Sequence, residues 1–331
     1  MEYQANPKRY DKMVYNRCGK TGLKISAVSL GLWHNFGTYD NFVNMEKMVH
    51  TAFDNGIIHF DMANNYGPEP GSAESNFKKI LDRGLRAYRD EICISTKAGF
   101  EMWDGPYGSR NGSRKYLTAS LDQSLKRIGV DYVDIFYHHV YDPDTPLEET
   151  ALALDNAVRQ GKALYVGISN YNRMNTKKMT EIFRELKTPF VLNQPSYSML
   201  NRRIEKDGLY HCASAEFGIG LIAFSPLYQG LLTDKYLHGI PANSRAAKNQ
   251  SDIASQLTDE MRIKLIKLNE VAKSRGQKLA QMAVSWILRD GRVTSVLIGA
   301  SSPEQIKENI QAVYKTSFTP DEIEEIEKIL G

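Results

Sequence analysis

Four residues with proton-transferring side chains stand at or just beyond the ends of three neighbouring apolar runs. The segment HFDMANNYG, residues 59–67, places Asp61 after one run and Tyr66 five residues later. Lys97 and His139 stand at the ends of the next two runs along the chain. Each of these residues alone more often has a structural role. An acid at a strand end usually forms a turn, a lysine usually extends to water, and a histidine is usually a hydrogen-bonded part of the core. The combination at three successive runs favours a chemical role.

An aspartate, a lysine and a tyrosine in contact can donate a proton. A phenol has an ordinary pKa of ~10 and is a poor acid at neutral pH, but a nearby ammonium favours its ionised form. A carboxylate opposes the tendency of a buried lysine to lose its proton. We therefore expect Asp61 to keep Lys97 charged and Lys97 to make Tyr66 an effective acid. His139 is expected to hydrogen-bond a carbonyl oxygen and orient the substrate.

The elements that must position these residues form a regular alternation of strands and helices. Amphipathic segments such as 44–56, which ends at Gly56 as a natural C-cap, and 113–129, which begins at a Ser N-cap, separate runs rich in Val, Ile and aromatic residues. Eight such alternations predict an α/β fold, a (β/α)8 TIM barrel, for which ~250 residues is typical. The eight predicted strands are 25–31, 57–63, 91–99, 132–139, 162–170, 190–194, 219–226 and 294–300.

Strand alternation predicts where the side chains point. Active sites of such barrels lie at the C-terminal ends of the strands. Ser95 and Lys97 share one face of their strand, and Tyr137 and His139 share one face of the next. If these faces point inward, Lys97 and His139 converge on the mouth of the barrel.

Several segments lie outside the repeating pattern. Residues 13–24 are typical of an N-terminal β-hairpin, and 320–330 predict an extra C-terminal helix. Long loops are expected after strands 3 and 7, at 100–112 and 227–256, and long loops in a compact domain are usually functional. No linker is visible, so we expect one domain over residues 1–331.

Composition excludes several classes of protein. The net charge of +3 and the lack of a dense Lys/Arg block argue against nucleic-acid binding. No apolar run is long enough to cross a bilayer, and the polar N-terminus lacks a signal peptide. Cys18, Cys93 and Cys212 are widely spaced, which predicts reduced thiols, a cytoplasmic location and no metal site.

Several motifs together make the chain similar to the aldo-keto reductase superfamily. HFDMANNYG resembles its Asp-to-Tyr segment, STKAG supplies the Lys, and YVDIFYHH ends in the His. GISNY, NQPSY, FSPLYQGLLTDKY and VLIGASSPEQIKENI resemble its cofactor-facing segments. The resemblance covers nearly the whole chain and implies NADPH-dependent reduction of an aldehyde or ketone, with hydride from the cofactor and a proton from Tyr66. A Rossmann GxGxxG motif between a strand and a helix is absent.

The resemblance also implies a set of cofactor contacts. Ser169, Asn170 and Gln194 match the residues that hold the carboxamide, and Phe224 matches an aromatic that packs on the nicotinamide, where Trp33 is a further candidate. Arg245 matches a position near the 2′-phosphate and favours NADPH over NADH. The matching pyrophosphate and adenosine contacts are Ser225, Leu227, Gly230, Lys235, Gly299, Ser301, Gln305, Glu308 and Asn309.

One segment, WDGPYGSRNGSRKYL at 103–117, resembles a bacterial branch of the superfamily near the potassium-channel β-subunits. That branch implies small substrates such as L-glyceraldehyde 3-phosphate, methylglyoxal or glyceraldehyde, and a homo-oligomer. Arg110 and Arg114 could meet a substrate phosphate, or could equally face water. Two alternatives stay open: an NADPH-binding regulatory subunit like the channel β-subunits, and an aldolase that forms a Schiff base on Lys97.

Overall fold

Residues 3–107, 110–241, 247 and 253–331 are described in a computed structural model. Within them, the strands are β1 Tyr15–Arg17, β2 Lys24–Ser26, β3 Val28–Gly31, β4 His59–Asp61, β5 Cys93–Ala98, β6 Val133–His138, β7 Ala163–Ser169, β8 Phe190–Gln194, β9 Gly220–Ala223 and β10 Ser295–Ile298. The strands β3 to β10 are all parallel and form a closed barrel, which confirms the predicted (β/α)8 architecture.

Helices alternate with these strands. The described helices are α1 Phe42–Asp54, α2 Ser72–Asp82, α3 Arg114–Ile128, α4 Leu147–Arg159, α5 Arg173–Leu186, α6 Arg203–Lys206, α7 Leu209–Cys212, α8 Ile253–Gln256, α9 Asp259–Ser274, α10 Leu279–Leu288, α11 Pro303–Ile310 and α12 Pro320–Leu330. The last of these confirms the predicted C-terminal helix.

Local chemistry explains where the predicted helices begin and end. The side chain of Ser113 caps α3, and Gly129 ends it in the left-handed conformation, as predicted. At α1 the prediction was wrong by a residue at the cap: the helix ends at the C-cap Asn55, and Gly56 follows with φ of 88°. Glycine is needed there for the left-handed turn that leads the chain toward β4.

Strand register places the interior side chains in layers. Asp61 pairs with Ser95 across β4 and β5, and Lys97 pairs with Tyr137 across β5 and β6. The pairing of β10 with β3 closes the barrel. Because neighbouring strands are in this register, the ends of β4, β5 and β6 meet at one mouth.

The N-terminal hairpin closes the opposite end of the barrel. Strands β1 and β2 pair antiparallel, as predicted. Cys18 and Ile25 of this hairpin pack into one buried cluster with interior residues that include Ile135 and Leu192. The loops at the mouth are long after β5 and β9, which confirms the prediction for strands 3 and 7. Among the described residues, no helix is long and apolar enough to cross a membrane.

Candidate active site

The centre of the site is a buried ion pair between two adjacent strands. Asp61 is the last residue of β4 and Lys97 lies in β5, and both side chains are fully buried. Lys97 Nζ lies 2.5 Å from Asp61 Oδ2, 2.6 Å from the carbonyl oxygen of Met62 and 3.2 Å from the hydroxyl of Tyr66. An ammonium has three donors, and these three partners can accept all of them.

These contacts keep the lysine charged. Burial by itself lowers the pKa of Lys97, but the charge and hydrogen bonds of Asp61 and Tyr66 act in the opposite direction, and the net pKa is raised. The ammonium also lies 4.6 Å from the ring centre of Tyr66 and 5.9 Å from that of Tyr137. Two aromatic faces therefore add to the environment that holds the charge.

Tyr66 lies under opposing influences. Burial raises the pKa of its hydroxyl above the ordinary value, and Lys97 acts to lower it. The net direction is upward, so the phenol stays protonated at neutral pH. Lys97 would then stabilise the phenolate that forms when the proton leaves.

His139 completes the group of four, as the strand alternation predicts. Its ring centre lies 5.7 Å from that of Tyr66 and 4.6 Å from that of Phe100. Burial, then the charge of Lys97, holds the pKa of His139 well below its usual range, so the ring is neutral at neutral pH. His138 is engaged elsewhere, since its Nδ1 lies 2.5 Å from the hydroxyl of Tyr171.

The second carboxylate oxygen of Asp61 is also held. Ser95 Oγ donates to Asp61 Oδ1 at 2.7 Å, and Gln194 Nε2 donates to the same oxygen at 3.1 Å. The sequence indicated that Ser95 lies near the site, because it shares a strand face with Lys97. The contact of Gln194 crosses the barrel from β8, and no local pattern indicates it.

The three residues matched to the carboxamide lie together at the mouth. Ser169 Oγ donates to the carbonyl oxygen of Gln194 at 2.7 Å, and Asn170 Nδ2 donates to the carbonyl oxygen of His139 at 3.0 Å. Asn170 has φ of 60°, which turns the chain sharply at the end of β7. This trio therefore borders the group of four directly.

The loop after β9 makes a tight turn through several residues with positive φ. Phe224 packs partly buried against the barrel interior. The chain then passes through the left-handed region at Ser225, Tyr228, Gln229 and Gly230, with right-handed Leu227 between them. The N–H groups of Tyr228, Gly230, Leu231 and Leu232 donate to carbonyl oxygens within the loop, so the turn is held together by its own hydrogen bonds. Lys235 is exposed in the short helical turn Asp234–Tyr236 that follows.

The residues matched to the adenosine half lie at the start of α11. Ser302 caps this helix, Pro303 occupies its first turn, and Gln305 Oε1 accepts from the backbone N–H of Ser301 at 2.9 Å. Glu308 is exposed and lies 2.8 Å from Lys278 Nζ. Gly299 is exposed just before the helix, and Asn309 is buried on its inner face.

The remaining candidates lie around the mouth. Trp33 is 55% exposed and its ring centre lies 6.2 Å from that of Tyr66. Arg110 is exposed with φ of 49°, and Arg114 is exposed at the first turn of α3. Arg245 lies outside the described residues.

Sequence reasoning missed one wall of the mouth. Phe100 follows β5, and its ring stands edge-on to that of His139. Its carbonyl oxygen accepts a hydrogen bond from the hydroxyl of Tyr116 in α3, which fixes the start of the long loop. The only signal for Phe100 was its place directly after the STKAG segment.

Comparison with known proteins gives consistent matches. The model of the aldo/keto reductase family matches residues 27–331. The chain is 55% identical over 332 positions to L-glyceraldehyde 3-phosphate reductase of Escherichia coli strain K12, covering 99% of this chain and 95% of that protein. It is 35% identical to a probable voltage-gated potassium channel subunit beta of Arabidopsis thaliana, covering 96% of this chain and 97% of that protein.

The buried ion pair predicts a large stability effect when one partner is removed. Lys97→Met leaves Asp61 as an uncompensated buried charge, so we expect a loss of about 3–5 kcal/mol in the free energy of unfolding. Urea denaturation at pH 7 measures it. The double variant Asp61→Asn/Lys97→Met should recover most of the loss.

The exposed pair of Lys78 and Asp82 provides the control. Lys78→Met removes an equivalent charge at the surface and should cost less than about 1 kcal/mol. Equal losses in Lys97→Met and Lys78→Met would contradict the interpretation.

Proposed function

The chain belongs to the aldo/keto reductase family, and from this we propose that it reduces small aldehydes with NADPH, with Tyr66 as the proton donor. As a member it is an oxidoreductase, and its relative in Escherichia coli is named L-glyceraldehyde 3-phosphate reductase. The observation that carries the proposal is the position of Lys97 Nζ, in contact with the Asp61 carboxylate and the Tyr66 hydroxyl at once.

Each of the four residues has a distinct part in this mechanism. A bound nicotinamide supplies the hydride. Tyr66 donates its proton to the substrate oxygen, and Lys97 stabilises the phenolate left behind. Asp61 keeps Lys97 charged, and neutral His139 donates a hydrogen bond that orients the carbonyl. The rings of Trp33 and Phe100 form apolar walls that exclude water from the reacting atoms.

The described residues fit a dinucleotide along one side of the mouth. Ser169, Asn170 and Gln194 offer amide and hydroxyl groups beside the reacting centre. The tight loop after β9 carries Ser225, Leu227 and Gly230, which the resemblance matches to the pyrophosphate. The start of α11, where the helix dipole favours an anion, carries Ser301 and Gln305, which the resemblance matches to the adenosine side.

We propose NADPH rather than NADH as the preferred cofactor. Lys235 is an exposed cation beside Asp234. The hydrogen bond that Lys278 donates to Glu308 of α11, and to a smaller extent the charge of Asp234, raises the pKa of Lys278, which places Lys235 near α11. Arg245 follows in the same loop. Lys235, together with Arg245 at the position that the resemblance matches to the 2′-phosphate, would favour the extra phosphate of NADPH.

The proposed substrates are small aldehydes: L-glyceraldehyde 3-phosphate, methylglyoxal and glyceraldehyde. The name of the relative in Escherichia coli supports the first of these. Arg110 and Arg114 stand exposed between the end of β5 and the first turn of α3, on the same side of the barrel as Tyr66. We propose that they bind the substrate phosphate.

Two other functions are less well supported. A Schiff-base lysine must lose its proton, whereas the pKa of Lys97 is raised and its three donors have acceptors. Borohydride trapping of substrate on Lys97 would favour the aldolase. The relative in Arabidopsis is named as a probable channel subunit, and this chain keeps His139, where the resemblance implies that channel subunits depart.

Other properties follow from the same proposal. The three cysteines are buried free thiols, which supports a cytoplasmic location. A homo-oligomer and a single domain over 1–331 stay predictions.

The first test is turnover by the purified protein. We expect NADPH oxidation with all three aldehydes, and Tyr66→Phe should lower kcat by roughly 10²–10⁴-fold because the proton donor is lost. The Kd of NADPH, measured by fluorescence, should not change.

Tyr39→Phe is the matched control, since it removes an exposed tyrosine hydroxyl that donates to Glu69. Full activity in Tyr66→Phe would refute the proton-donor role. NADPH binding without turnover in the unmodified protein would favour the regulatory subunit.

Cofactor preference has its own test. We expect kcat/KM to be at least about 10-fold higher with NADPH than with NADH, equivalent to ~1.4 kcal/mol of extra binding. Arg245→Ala should lower the value for NADPH and leave that for NADH unchanged, whereas Lys235→Ala, at a position matched to the pyrophosphate, should lower both. Equal kinetics with both cofactors would refute the preference.

The phosphate proposal separates one substrate from the others. Arg110→Ala/Arg114→Ala should raise the KM for L-glyceraldehyde 3-phosphate by roughly 10-fold, because charged contacts to phosphate are lost. The KM for methylglyoxal should stay the same. Arg292→Ala, which removes an exposed cation before β10 at the other end of the barrel, is the control. An unchanged KM for the phosphorylated aldehyde would exclude these two residues.

A further inference from the structure

A line of hydrogen-bonded polar side chains crosses the barrel interior below the mouth. Ser295 Oγ lies 2.6 Å from Ser29 Oγ, which lies 2.8 Å from His59 Nδ1. His59 Nε2 lies 2.9 Å from Ser95 Oγ, and Ser95 lies 2.7 Å from Asp61 Oδ1. We call the four residues before Asp61 the serine–histidine line. All of them are fully buried.

The line follows the closure of the barrel. Its members come from β10, β3, β4 and β5, which are consecutive neighbours around the wall. The interior of a small barrel is usually filled with apolar branched side chains. Four adjoining polar residues at interior positions are therefore a feature that packing alone does not require.

The ionised carboxylate fixes the direction of every proton in the line. Ser95 has one hydroxyl proton and must donate it to Asp61, so its oxygen accepts from His59 Nε2–H. A neutral histidine with its proton on Nε2 must accept at Nδ1, so Ser29 donates there. Ser295 must then donate to Ser29. Each donor points toward Asp61, and aligned hydrogen bonds of this kind strengthen one another.

The chemistry of His59 agrees with this arrangement. Burial lowers the pKa of His59 to about 4, with Asp61 and Lys97 acting in opposite directions. The ring is therefore neutral at neutral pH, as the proton order requires. Among the described residues, Ser295 Oγ has no further hydrogen-bond partner, so the line ends inside the barrel rather than leading to solvent.

We propose that the serine–histidine line is a positioning device for the proton donor, with His59 as its central positioning residue. The proposal rests on the reductase function proposed above. The line holds Asp61 Oδ1 so that Oδ2 stays on Lys97, and Lys97 in turn stays on Tyr66. Since all four members are fully buried beneath the mouth, they act through Asp61 rather than on the substrate.

This role has a consequence for pH dependence. Within the described chain, the titratable groups that face Lys97 are Asp61, Tyr66, Tyr137, His59 and His139. Asp61 is the one that carries negative charge at neutral pH and opposes the effect of burial on the pKa of Lys97. Loosening Asp61 lowers that pKa, so Lys97 loses its charge at a lower pH.

The test compares three variants. Ser95→Ala cuts the line at Asp61, and His59→Leu cuts it at the centre with an apolar side chain. His59→Gln keeps a donor toward Ser95 and an acceptor toward Ser29. We expect Ser95→Ala and His59→Leu to lower kcat by roughly 10-fold to 100-fold. The alkaline limb of the pH profile of kcat should move down by about one pH unit in both.

The readouts separate positioning from folding. His59→Gln should restore most of kcat and the original alkaline limb, and the KM for NADPH should stay unchanged throughout. Ser26→Ala is the control, because it removes a buried hydroxyl that accepts from the N–H of Ile58 and does not contact the line. A lower kcat with an unmoved alkaline limb, or equal effects of His59→Leu and His59→Gln, would overturn the proposal.

A second measurement does not depend on turnover. The exchange of the Lys97 ammonium protons with water can be followed by 15N NMR of lysine-labelled protein, with Lys97→Met for assignment. Exchange should be faster in Ser95→Ala and His59→Leu than in His59→Gln or Ser26→Ala. If the unmodified protein lacks turnover, the proposed function fails, and this exchange rate still tests the line. Equal rates in all four would overturn it.

Discussion

The structure of the site depends on one buried ion pair. Asp61 and Lys97 are both removed from water, which costs several kcal/mol for each ion unless hydrogen bonds and the opposite charge offset it. That requirement is met only if β4 and β5 stand in the register that pairs Asp61 with Ser95. Lys97 therefore stays charged only in the closed barrel. The proposed proton donor, Tyr66, in turn depends on that charge.

The packing around the ion pair also restricts the residue types at neighbouring positions. Tyr137 lies beside Lys97 with its ring fully buried, and a methyl group at Gly167 would come within 2.4 Å of that ring. Only glycine at that place in β7 leaves room for the aromatic ring. Gly167 in β7 thus makes room for the ring of Tyr137, which lies near the ammonium of Lys97 in place of water.

The strands and helices could be predicted from the sequence because the alternating pattern of a strand and the 3.6-residue pattern of a helix lie within short segments. The eight barrel strands, the capped helix α3 and the group of Asp61, Tyr66, Lys97 and His139 all rest on spacing within short segments. Contacts across the barrel depend on register and strand tilt, which no short segment encodes. The amide of Gln194 on Asp61 and the ring of Phe100 on His139 are of that kind. The C-cap at Asn55 was missed because glycine and asparagine are both common at the ends of helices, and Gly56 directly follows Asn55.

Gln194 joins the two halves of the proposed chemistry. Its side chain donates to Asp61, while its backbone carbonyl accepts from Ser169 in the trio matched to the carboxamide. A cofactor that draws on this trio would therefore act on the same residue that holds the carboxylate. Because Asp61 holds Lys97 and Lys97 holds Tyr66, cofactor seating and proton donation share one continuous set of hydrogen bonds. Gln194 thus places the cofactor-facing trio and the proton donor in one hydrogen-bonded unit.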